Sequence, residues 1–391
     1  MRIVLFVITF TTIITDYGII SATAPATKLE PNTIDTIHQQ LKRVQRWQWK
    51  HHHDNHHKHH VQPQPQQDGE GIGNRLIQSL PTRPFVTVAF AQSVDGYMSP
   101  FIYQDRDSNN NTANTTEHPP TTDRNYPLSS RESLVLTHGL RSIHDGILIG
   151  GRTLLLDNPR LTSRLWGIGT TNTSNEATTA ATRFLPSQKH QPQPVIIDPN
   201  LRYIQQLLRE TNGTMNPRHP IICCTFDAAA SIQLNQYHYH RDDHHDNCFR
   251  NNITNNTIRL LPCQCNNNNV RSHNATTSLL NITDVFHQLY HRYNLRSVMV
   301  EGGAYTISTL FATTTTANAL IDAIIITIAP QFLSSGIRPT FRSTLDRTYS
   351  SVGSMKNIFQ IDTLRLIPSS TSFILLGNDA TLIARCDQRR H

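Results

Sequence analysis

The chain has 391 residues, of which 16% are charged and 37% hydrophobic, a length that allows one large domain or two ordinary ones. Its formal net charge is +7, but the Lys and Arg residues are scattered and form no basic stripe with interleaved aromatic residues. Composition therefore argues against a nucleic-acid partner and favours a basic enzyme that handles anionic small molecules.

The first 24 residues resemble a secretory signal. Met1 and Arg2 precede a largely apolar run over residues 3–14, and small residues from Ser21 to Ala24 follow as in a cleavage site. The apolar run is shorter than the roughly 20 residues of a transmembrane helix, so we expect no membrane partner for the mature form. Because the rest of the chain has the character of a metabolic enzyme, we expect a cytoplasmic protein, with a secretory route as the alternative.

An N-terminal extension is predicted over residues 25–82. Apolar residues at helical spacing predict a helix over residues 34–50, followed by a linker with a His-rich tract at 51–60 and a Gln/Pro stretch. Histidine clusters can bind transition metals, but low-complexity expansion in a linker is the favoured explanation of the tract. The six cysteines show neither zinc nor disulfide spacing. We therefore predict no metal site, and free thiols as in a reducing compartment.

One folded domain is predicted over residues 84–386, with polar insertions at about 104–127, 167–191 and 235–275. Its apolar runs alternate between strand and helix spacing, which predicts an α/β fold with a mostly parallel central sheet, an antiparallel C-terminal edge and flanking helices. The predicted strands lie at 85–92, within 144–150, and at 195–198, 221–226, 296–301, 323–329, 373–376 and 381–385. The predicted helices lie at 129–143, 201–210, 278–294 and 305–312.

Two of the predicted strands end in glycine pairs. Gly150 and Gly151 follow one buried strand, and Gly302 and Gly303 follow another. Ligands of open α/β sheets bind beyond the carboxyl ends of the strands, where glycine lets backbone N–H groups approach a phosphate. Either pair alone would be an ordinary turn, and neither matches the G-x-G-x-x-G pattern of a Rossmann fold. Together they predict a nucleotide site.

A loop with two arginines follows the first glycine pair. Residues 157–164 read DNPRLTSR and place Arg160 and Arg164 near a hydroxyl residue. Guanidinium groups hold phosphate through paired charge-assisted hydrogen bonds, so the loop suits a phosphate ester. An ordinary solvated loop is the alternative.

These motifs resemble a known family. In order, the segments are FVTVAFAQSVDGYMS, LRSIHDGILIGGRTLLLDNPRLTSR, VIID, RSVMVEGGAYTISTLF and IIITIAPQFLSSG. They resemble the riboflavin-biosynthesis reductases, which include the fungal and archaeal 2,5-diamino-6-ribosylamino-4(3H)-pyrimidinone 5′-phosphate reductases and the reductase half of the bacterial deaminase/reductase. The segments HDGILIG…DNP and RSVMVEGGA resemble the fungal form in particular. The resemblance implies a dihydrofolate-reductase-like fold, NADPH as hydride donor, a phosphorylated pyrimidine substrate and a homodimer.

The resemblance also implies roles for residues at matching motif positions. Expected contacts with NADPH are Ala91, Thr153, Asp157, Gly302, Gly303 and Ala304. Expected contacts with the substrate are Arg141, Leu161, Arg164 and Glu301, with the arginines near the ribose phosphate. Glu301 and Asp95 are the candidate catalytic residues, because either could move a proton during opening of the ribosylamine. Each could equally serve only as a hydrogen-bond acceptor.

Other functions compete with this hypothesis. The deaminase of the same pathway would need H-x-E and P-C-x-x-C, whereas residues 262–265 read PCQC, so the fused enzyme is excluded. A dihydrofolate reductase proper is disfavoured by the phosphate-type arginines. A reductase of another pterin-like substrate remains open, as does a secreted protein on this fold that binds nucleotides or sugars without turnover.

Overall fold

The structure is a computed structural model. The residues it describes are 29–59, 83–102, 121–122, 126, 128–166, 191–232, 238–241, 247–251, 256–265, 280–314, 320–339 and 366–386. The signal-like segment at 1–24, the Gln/Pro stretch and almost all of the predicted insertions at 104–127 and 167–191 lie outside the described residues. Within the described part, no helix combines the length and hydropathy needed to cross a membrane.

Strands and helices alternate along most of the described chain. The strands are β1 Phe85–Ser93, β2 Ser99–Ile102, β3 Thr121–Thr122, β4 Gly146–Gly150, β5 Gln193–Ile197, β6 Ile221–Thr225, β7 His238–Arg241, β8 Asn247–Arg250, β9 Thr257–Cys263, β10 Ser297–Glu301, β11 Ala323–Ala329, β12 Gly336–Ile337, β13 Ser372–Leu376 and β14 Asp379–Arg385. The helices are α1 Pro31–His59, α2 Arg131–Ser142, α3 Gly151–Asp157, α4 Arg202–Glu210, α5 Phe226–Ser231, α6 Ile282–Tyr293 and α7 Ala304–Thr314.

Eleven of these strands form one sheet in the order β13-β14-β11-β1-β10-β4-β5-β6-β9-β8-β7. The pairs from β11 through β9 are parallel, whereas β13–β14, β14–β11, β9–β8 and β8–β7 are antiparallel. The predicted α/β sheet with an antiparallel C-terminal edge is therefore confirmed. Because β10 lies between β1 and β4, the carboxyl ends of these three strands are neighbours, and this is where open α/β sheets bind ligands.

Helices cover both faces of the sheet. Alternate residues of each strand point to opposite faces, so Val86 and Val298 pack with Ile307 of α7 on one side. Phe85 and Met299 pack on the other side, in a cluster shared with α1 and α2. The alternation of side chains along the strands therefore determines which face of the sheet each helix covers. With both faces covered, a ligand site is expected at the carboxyl ends of the strands.

The N-terminal helix belongs to the same core as the sheet. The predicted helix at 34–50 is confirmed, but α1 continues to His59, so the assignment of the whole His-rich tract to a linker is wrong. Ile37, Leu41 and Val44 are buried together with residues of α2 and β14. Gly139 of α2 gives this helix room, since a Cβ there would lie 2.7 Å from Leu41 Cδ1.

The segment predicted to be an insertion, residues 235–275, includes part of the central sheet. It contains β7, β8 and β9, and β9 pairs in parallel with β6 while its residues Ile258, Leu260 and Cys263 are buried. The prediction of a polar insertion over this whole range is therefore wrong. The flanking Asn and His residues dominate the local composition, and a seven-residue strand gains its stability from pairing with β6 rather than from its neighbours in sequence.

Candidate active site

The two glycine turns predicted from sequence touch each other. Thr153 lies in the first turn of α3, and a Cβ on Gly303 would be 2.9 Å from its Oγ1 atom. A Cβ on Gly302 would be 3.8 Å from Thr153 Cγ2. Gly302 and Gly303 both have positive φ, at +73° and +70°, a conformation that glycine adopts without steric cost. The structure thus joins the turn after β4 to the turn after β10.

Gly303 also begins α7. Its carbonyl oxygen accepts the hydrogen bond from Ile307 N at 3.1 Å, so Gly303 occupies the cap position before Ala304. A glycine cap brings no side-chain oxygen to the first turn of the helix. Consecutive residues with unusual backbone dihedrals before a helix N-terminus form a concave set of N–H groups that suits an anion. The N-terminus of α7 therefore follows two glycines and has no side-chain cap from Gly303.

The glycine pair after β4 is required for a different reason, which is the packing of neighbouring side chains. A Cβ on Gly150 would lie 2.6 Å from Thr306 Oγ1, and a Cβ on Gly151 would lie 3.0 Å from both Asp198 and Tyr203. The space that these glycines leave empty is filled by Thr306 of α7, by Asp198, which follows β5, and by Tyr203 of α4. The first pair is thus explained by packing within the protein, whereas room for a phosphate at the second pair stays a prediction.

Asp157 and Thr153 lie on one face of α3. They are four residues apart in a helix, so their side chains are neighbours along the axis. Asn158 ends the helix in the left-handed region with φ of 38°. Asp157 is partly buried. Thr153 and Asp157, two of the residues expected to contact the cofactor, therefore point to the same side, where Thr153 meets Gly303.

Arg141 and Glu301 form a two-point ion pair. Arg141 Nε donates to Glu301 Oε1 at 2.7 Å, and Nη2 donates to Oε2 at 2.6 Å. Both side chains are 13% exposed. Burial by itself would lower the pKa of Arg141, but the Glu301 carboxylate more than offsets this and the pKa lies above its usual value. Two residues that were each expected to contact the substrate are thus bonded to each other.

Three arginines share one region beside this ion pair. Arg160 and Arg164 are exposed on the loop after α3, while Arg141 reaches the same loop by donating from Nη1 to Thr162 O at 3.1 Å. Burial, then the positive charges of Arg141 and Arg160, lower the pKa of Arg164. The effect of Arg141 and Arg160 on Arg164 indicates that the three positive charges are near one another, and we call them the arginine cluster: Arg141, Arg160 and Arg164. The sequence placed Arg160 in a loop suited to a phosphate ester but did not name it among the individual substrate contacts.

The loop that carries Arg164 is fastened to His138 of α2. Ser163 Oγ donates to His138 O at 2.6 Å, and Arg164 N donates to His138 Nδ1 at 3.0 Å. His138 is 3% exposed. Burial, together with the charges of Arg141 and Arg164, lowers its pKa to about 3. Sequence reasoning missed His138. The one available signal was that this polar residue lies three positions before Arg141, on the inward side of the predicted helix.

Leu161 lies on the loop that carries Arg164. Its side chain is 2% exposed and packs in the core with Ile149 and Leu154. This burial gives the side chain a packing role, and the expected substrate contact of Leu161 stays a prediction. Its backbone has φ of 52°, a left-handed conformation that is unfavourable for leucine. Burial of the side chain anchors this bend of the loop after α3, residues 158–164, which we call the arginine loop.

The remaining predicted residues lie at the end of β1. Ala91 pairs with Thr327 of β11, two positions beyond the pair formed by Ala89 and Glu301. Asp95 Oδ1 accepts a hydrogen bond from Ser93 Oγ at 2.5 Å, and its Oδ2 accepts one from Ser334 N at 2.8 Å. The Ser93 hydrogen bond is the main cause of a lowered Asp95 pKa. Asp95 thus ties the turn after β1 to a neighbouring loop, and its catalytic role stays a prediction.

Fold and site together define the class of protein. It is an α/β protein in which a glycine turn follows β10 and an arginine cluster is joined to the last residue of that strand by the ion pair of Arg141 and Glu301. The chain belongs to the RibD C-terminal domain family, whose model matches residues 84–352.

Relatives of this chain carry one common name. The 2,5-diamino-6-ribosylamino-4(3H)-pyrimidinone 5′-phosphate reductase of Saccharomyces cerevisiae is 28% identical over 258 residues, which are 64% of this chain and 74% of that protein. The enzyme of that name from Schizosaccharomyces pombe is 30% identical over 213 residues, covering 53% and 65% of the two chains. The solved structure of the S. cerevisiae riboflavin biosynthesis reductase aligns with a TM-score of 0.44 at 23% identity, over 82% of this chain and 93% of that one.

Proposed function

We propose that this protein reduces the ribosylamino side chain of 2,5-diamino-6-ribosylamino-4(3H)-pyrimidinone 5′-phosphate to the ribitylamino form, with NADPH, in riboflavin biosynthesis. Family membership and the shared name of its relatives support the reaction. The observation that carries it in the structure is that Thr153 lies next to Gly303, two residues after the Glu301 that pairs with Arg141 of the arginine cluster. The same names disfavour a secreted binding protein and a reductase of another pterin-like substrate.

The turn after β10 fits a nicotinamide dinucleotide. Its two consecutive positive-φ glycines and its side-chain-free helix cap are suited to a diphosphate, and the Thr153 hydroxyl lies next to them. When bound, NADPH supplies a hydride to C1′ of the opened ribosylamine. The residues proposed to hold it are Ala91, Thr153, Asp157, Gly302, Gly303 and Ala304.

The arginine cluster is proposed to hold the ribose 5-phosphate of the substrate. Guanidinium groups form paired, charge-assisted hydrogen bonds with phosphate oxygens. Arg160 and Arg164 are exposed, so their side chains can turn toward a ligand, whereas Arg141 is held by Glu301. Binding of a dianion here would also relieve the repulsion among the three cations. Orientation of the substrate is then set by its phosphate, at a fixed distance from the reacting C1′ carbon.

Proton movement is proposed to depend little on the two acidic candidates. Both oxygens of Glu301 already accept hydrogen bonds from Arg141, so its main task is to hold that arginine in place. Asp95 has a lowered pKa and is ionised at neutral pH, which makes it an acceptor rather than an acid. Either carboxylate could still receive a hydrogen bond from a hydroxyl group of the opened sugar.

We further propose that the enzyme is a cytoplasmic homodimer. The dimer is supported by the edge strand β13, on which Phe373 is 71% exposed and Leu375 is 78% exposed. Exposed apolar residues on an uncharged edge strand are unusual for a monomer. Light scattering on the purified full chain would give the mass, and Leu375→Glu should convert a dimer to a monomer. A monomeric wild-type protein would contradict this part of the proposal.

A cofactor-oxidation assay tests the reaction. Purified protein should oxidise NADPH only when the ribosylamino-pyrimidinone phosphate is added, and the product should carry a ribityl chain by mass spectrometry. NADH in place of NADPH tests the choice of cofactor, and dephosphorylated substrate tests the arginine cluster. Folded protein that binds NADPH but leaves it unoxidised in the presence of authentic substrate would overturn the proposed function.

A further inference from the structure

We propose that His138 is a positioning residue that sets the arginine loop for the substrate phosphate and does so as a neutral hydrogen-bond acceptor. The inference rests on the proposed function, since it names the residue that shapes the phosphate site of that reaction. His138 lies on α2, beneath the loop formed by residues 161–164, and it is 3% exposed. It therefore acts through the loop and does not touch the substrate.

Three hydrogen bonds fasten the loop to α2. Ser163 Oγ donates to the His138 carbonyl at 2.6 Å, and the backbone N–H of Arg164 donates to His138 Nδ1 at 3.0 Å. Arg141 Nη1 donates to Thr162 O at 3.1 Å. The bond to Nδ1 is the one that involves the backbone of Arg164 itself, so it fixes the point from which that arginine side chain leaves the loop.

The loop needs such an anchor. Leu161 adopts a left-handed backbone, which a leucine does not favour, and its side chain is locked in the core. A strained bend persists only where surrounding contacts determine it. Leu161 fixes one end of the loop from within the core, and His138 fixes the other end at Arg164.

The acceptor must also be uncharged. A backbone N–H can donate only to an unprotonated Nδ1, and the positive charges of Arg141 and Arg164, together with burial, keep the imidazole neutral, with a pKa of about 3. A carboxylate at this position would accept the same bond, but its negative charge would attract the nearby guanidinium groups and cancel part of the potential that draws a phosphate. A neutral imidazole supplies the acceptor and leaves the cluster fully positive.

A pair of nearly isosteric variants separates these two properties. His138→Asn keeps a neutral acceptor near the position of Nδ1, whereas His138→Asp keeps the acceptor and adds a charge. We expect the Asn variant to stay within about threefold of the wild-type KM for the substrate, and the Asp variant and His138→Phe to raise it about tenfold or more. The kcat and the KM for NADPH should change little. Ser142→Ala, on the same helix and with its hydroxyl bonded to Gly139 O rather than to the loop, is the matched control.

Amide hydrogen exchange provides a readout independent of turnover. The Arg164 amide should be protected in the wild type and in His138→Asn, and should exchange faster in His138→Phe. Ser163→Ala, which removes a partly buried hydroxyl, should weaken the same anchoring if His138→Phe does not fold. Equal substrate KM values for the wild type, Asp and Phe variants, or unchanged exchange at Arg164, would overturn the inference. Wild-type protein without any turnover would instead refute the proposed function, while the exchange experiment would still decide the hydrogen bond.

Discussion

Arg141 and Glu301 connect the two halves of the site. The guanidinium of Arg141, on α2, makes two parallel hydrogen bonds of 2.7 Å and 2.6 Å with the carboxylate of Glu301, the last residue of β10. Glu301 is followed directly by Gly302 and Gly303, while Arg141 belongs to the arginine cluster. One ion pair therefore links the turn proposed for the dinucleotide to the cluster proposed for the substrate phosphate.

Replacing Glu301 tests this link. Glu301→Gln leaves the buried Arg141 with a neutral partner and one acceptor oxygen, so we expect a loss of about 1–3 kcal/mol in the free energy of unfolding, measured with urea. We also expect a higher KM for the substrate with kcat within a few-fold of wild type, because the arginine is less well placed. A fall in kcat of a hundredfold or more at unchanged KM would show instead that Glu301 transfers a proton.

Gly303→Ala tests the turn before α7. The added Cβ meets Thr153 Oγ1 at 2.9 Å and must adopt a φ of +70°, so we expect weaker NADPH binding and a loss of about 1–2 kcal/mol in stability. Gly96 is the matched control, because its φ is +86° and a Cβ there meets nothing within 4 Å. Gly96→Ala should cost similar stability and leave the Kd for NADPH unchanged. Equal effects on cofactor affinity from both variants would contradict the assignment.

Gly150 offers a test of packing rather than of binding. A methyl group there would clash with Thr306 Oγ1 at 2.6 Å, and Gly150 has an ordinary φ of −82°, so backbone strain does not contribute. We expect Gly150→Ala to lower the free energy of unfolding by about 1–3 kcal/mol. Thr306→Ala in the same chain should recover most of this loss. Urea denaturation of the two single variants and the double variant measures the coupling, and strictly additive effects would refute the contact.

Asp198 should lower the stability of the protein as the pH rises, which is the opposite of the effect of a carboxylate whose pKa is lowered by folding. Burial raises its pKa to about 6 from an ordinary value of 3.8, despite hydrogen bonds from Tyr203 N and Ile204 N. The folded state therefore binds this proton more tightly, so the contribution of Asp198 is full at low pH and is lost as the pH rises through about 6.

Asp198→Asn tests that dependence. The amide oxygen can still accept from α4, and we expect the variant to be more stable than wild type by about 1–3 kcal/mol at pH 7 and nearly equal near pH 4. The quantity to compare is the difference between the two proteins at each pH, because the lowered pKa values of the buried His138 and His144 act in the opposite direction. A variant that is less stable than wild type at pH 7 would contradict the prediction.

Leu41→Ala tests whether α1 is part of the domain core. Leu41 is 3% exposed and contacts the space above Gly139, so its truncation should cost about 2–5 kcal/mol. Trp49 lies on the same helix and is 64% exposed, which makes Trp49→Ala the control with little expected effect. Unfolding followed by circular dichroism should remain one transition. If the unfolding midpoint of Leu41→Ala equalled that of the wild type, α1 would not share the core of the domain.

The sequence alone determined the elements that depend on near neighbours. Apolar runs such as residues 85–92 and 323–329 specify strands, because alternate side chains along them must be buried on the two faces of a sheet. The glycine turn after β10 and the arginines of residues 157–164 were also evident, since each is a compact local pattern. The α/β class and the family resemblance follow from the order of these segments.

Only the tertiary structure decided which residues meet. Arg141 and Glu301 are 160 positions apart, and both were expected to contact the substrate rather than each other. Thr306 fills the space at Gly150, His138 holds the arginine loop, and β9 emerges from an Asn-rich segment. Such pairings depend on which strands become neighbours and in what register, and that is set by packing of the whole sheet. No local period in the sequence encodes it.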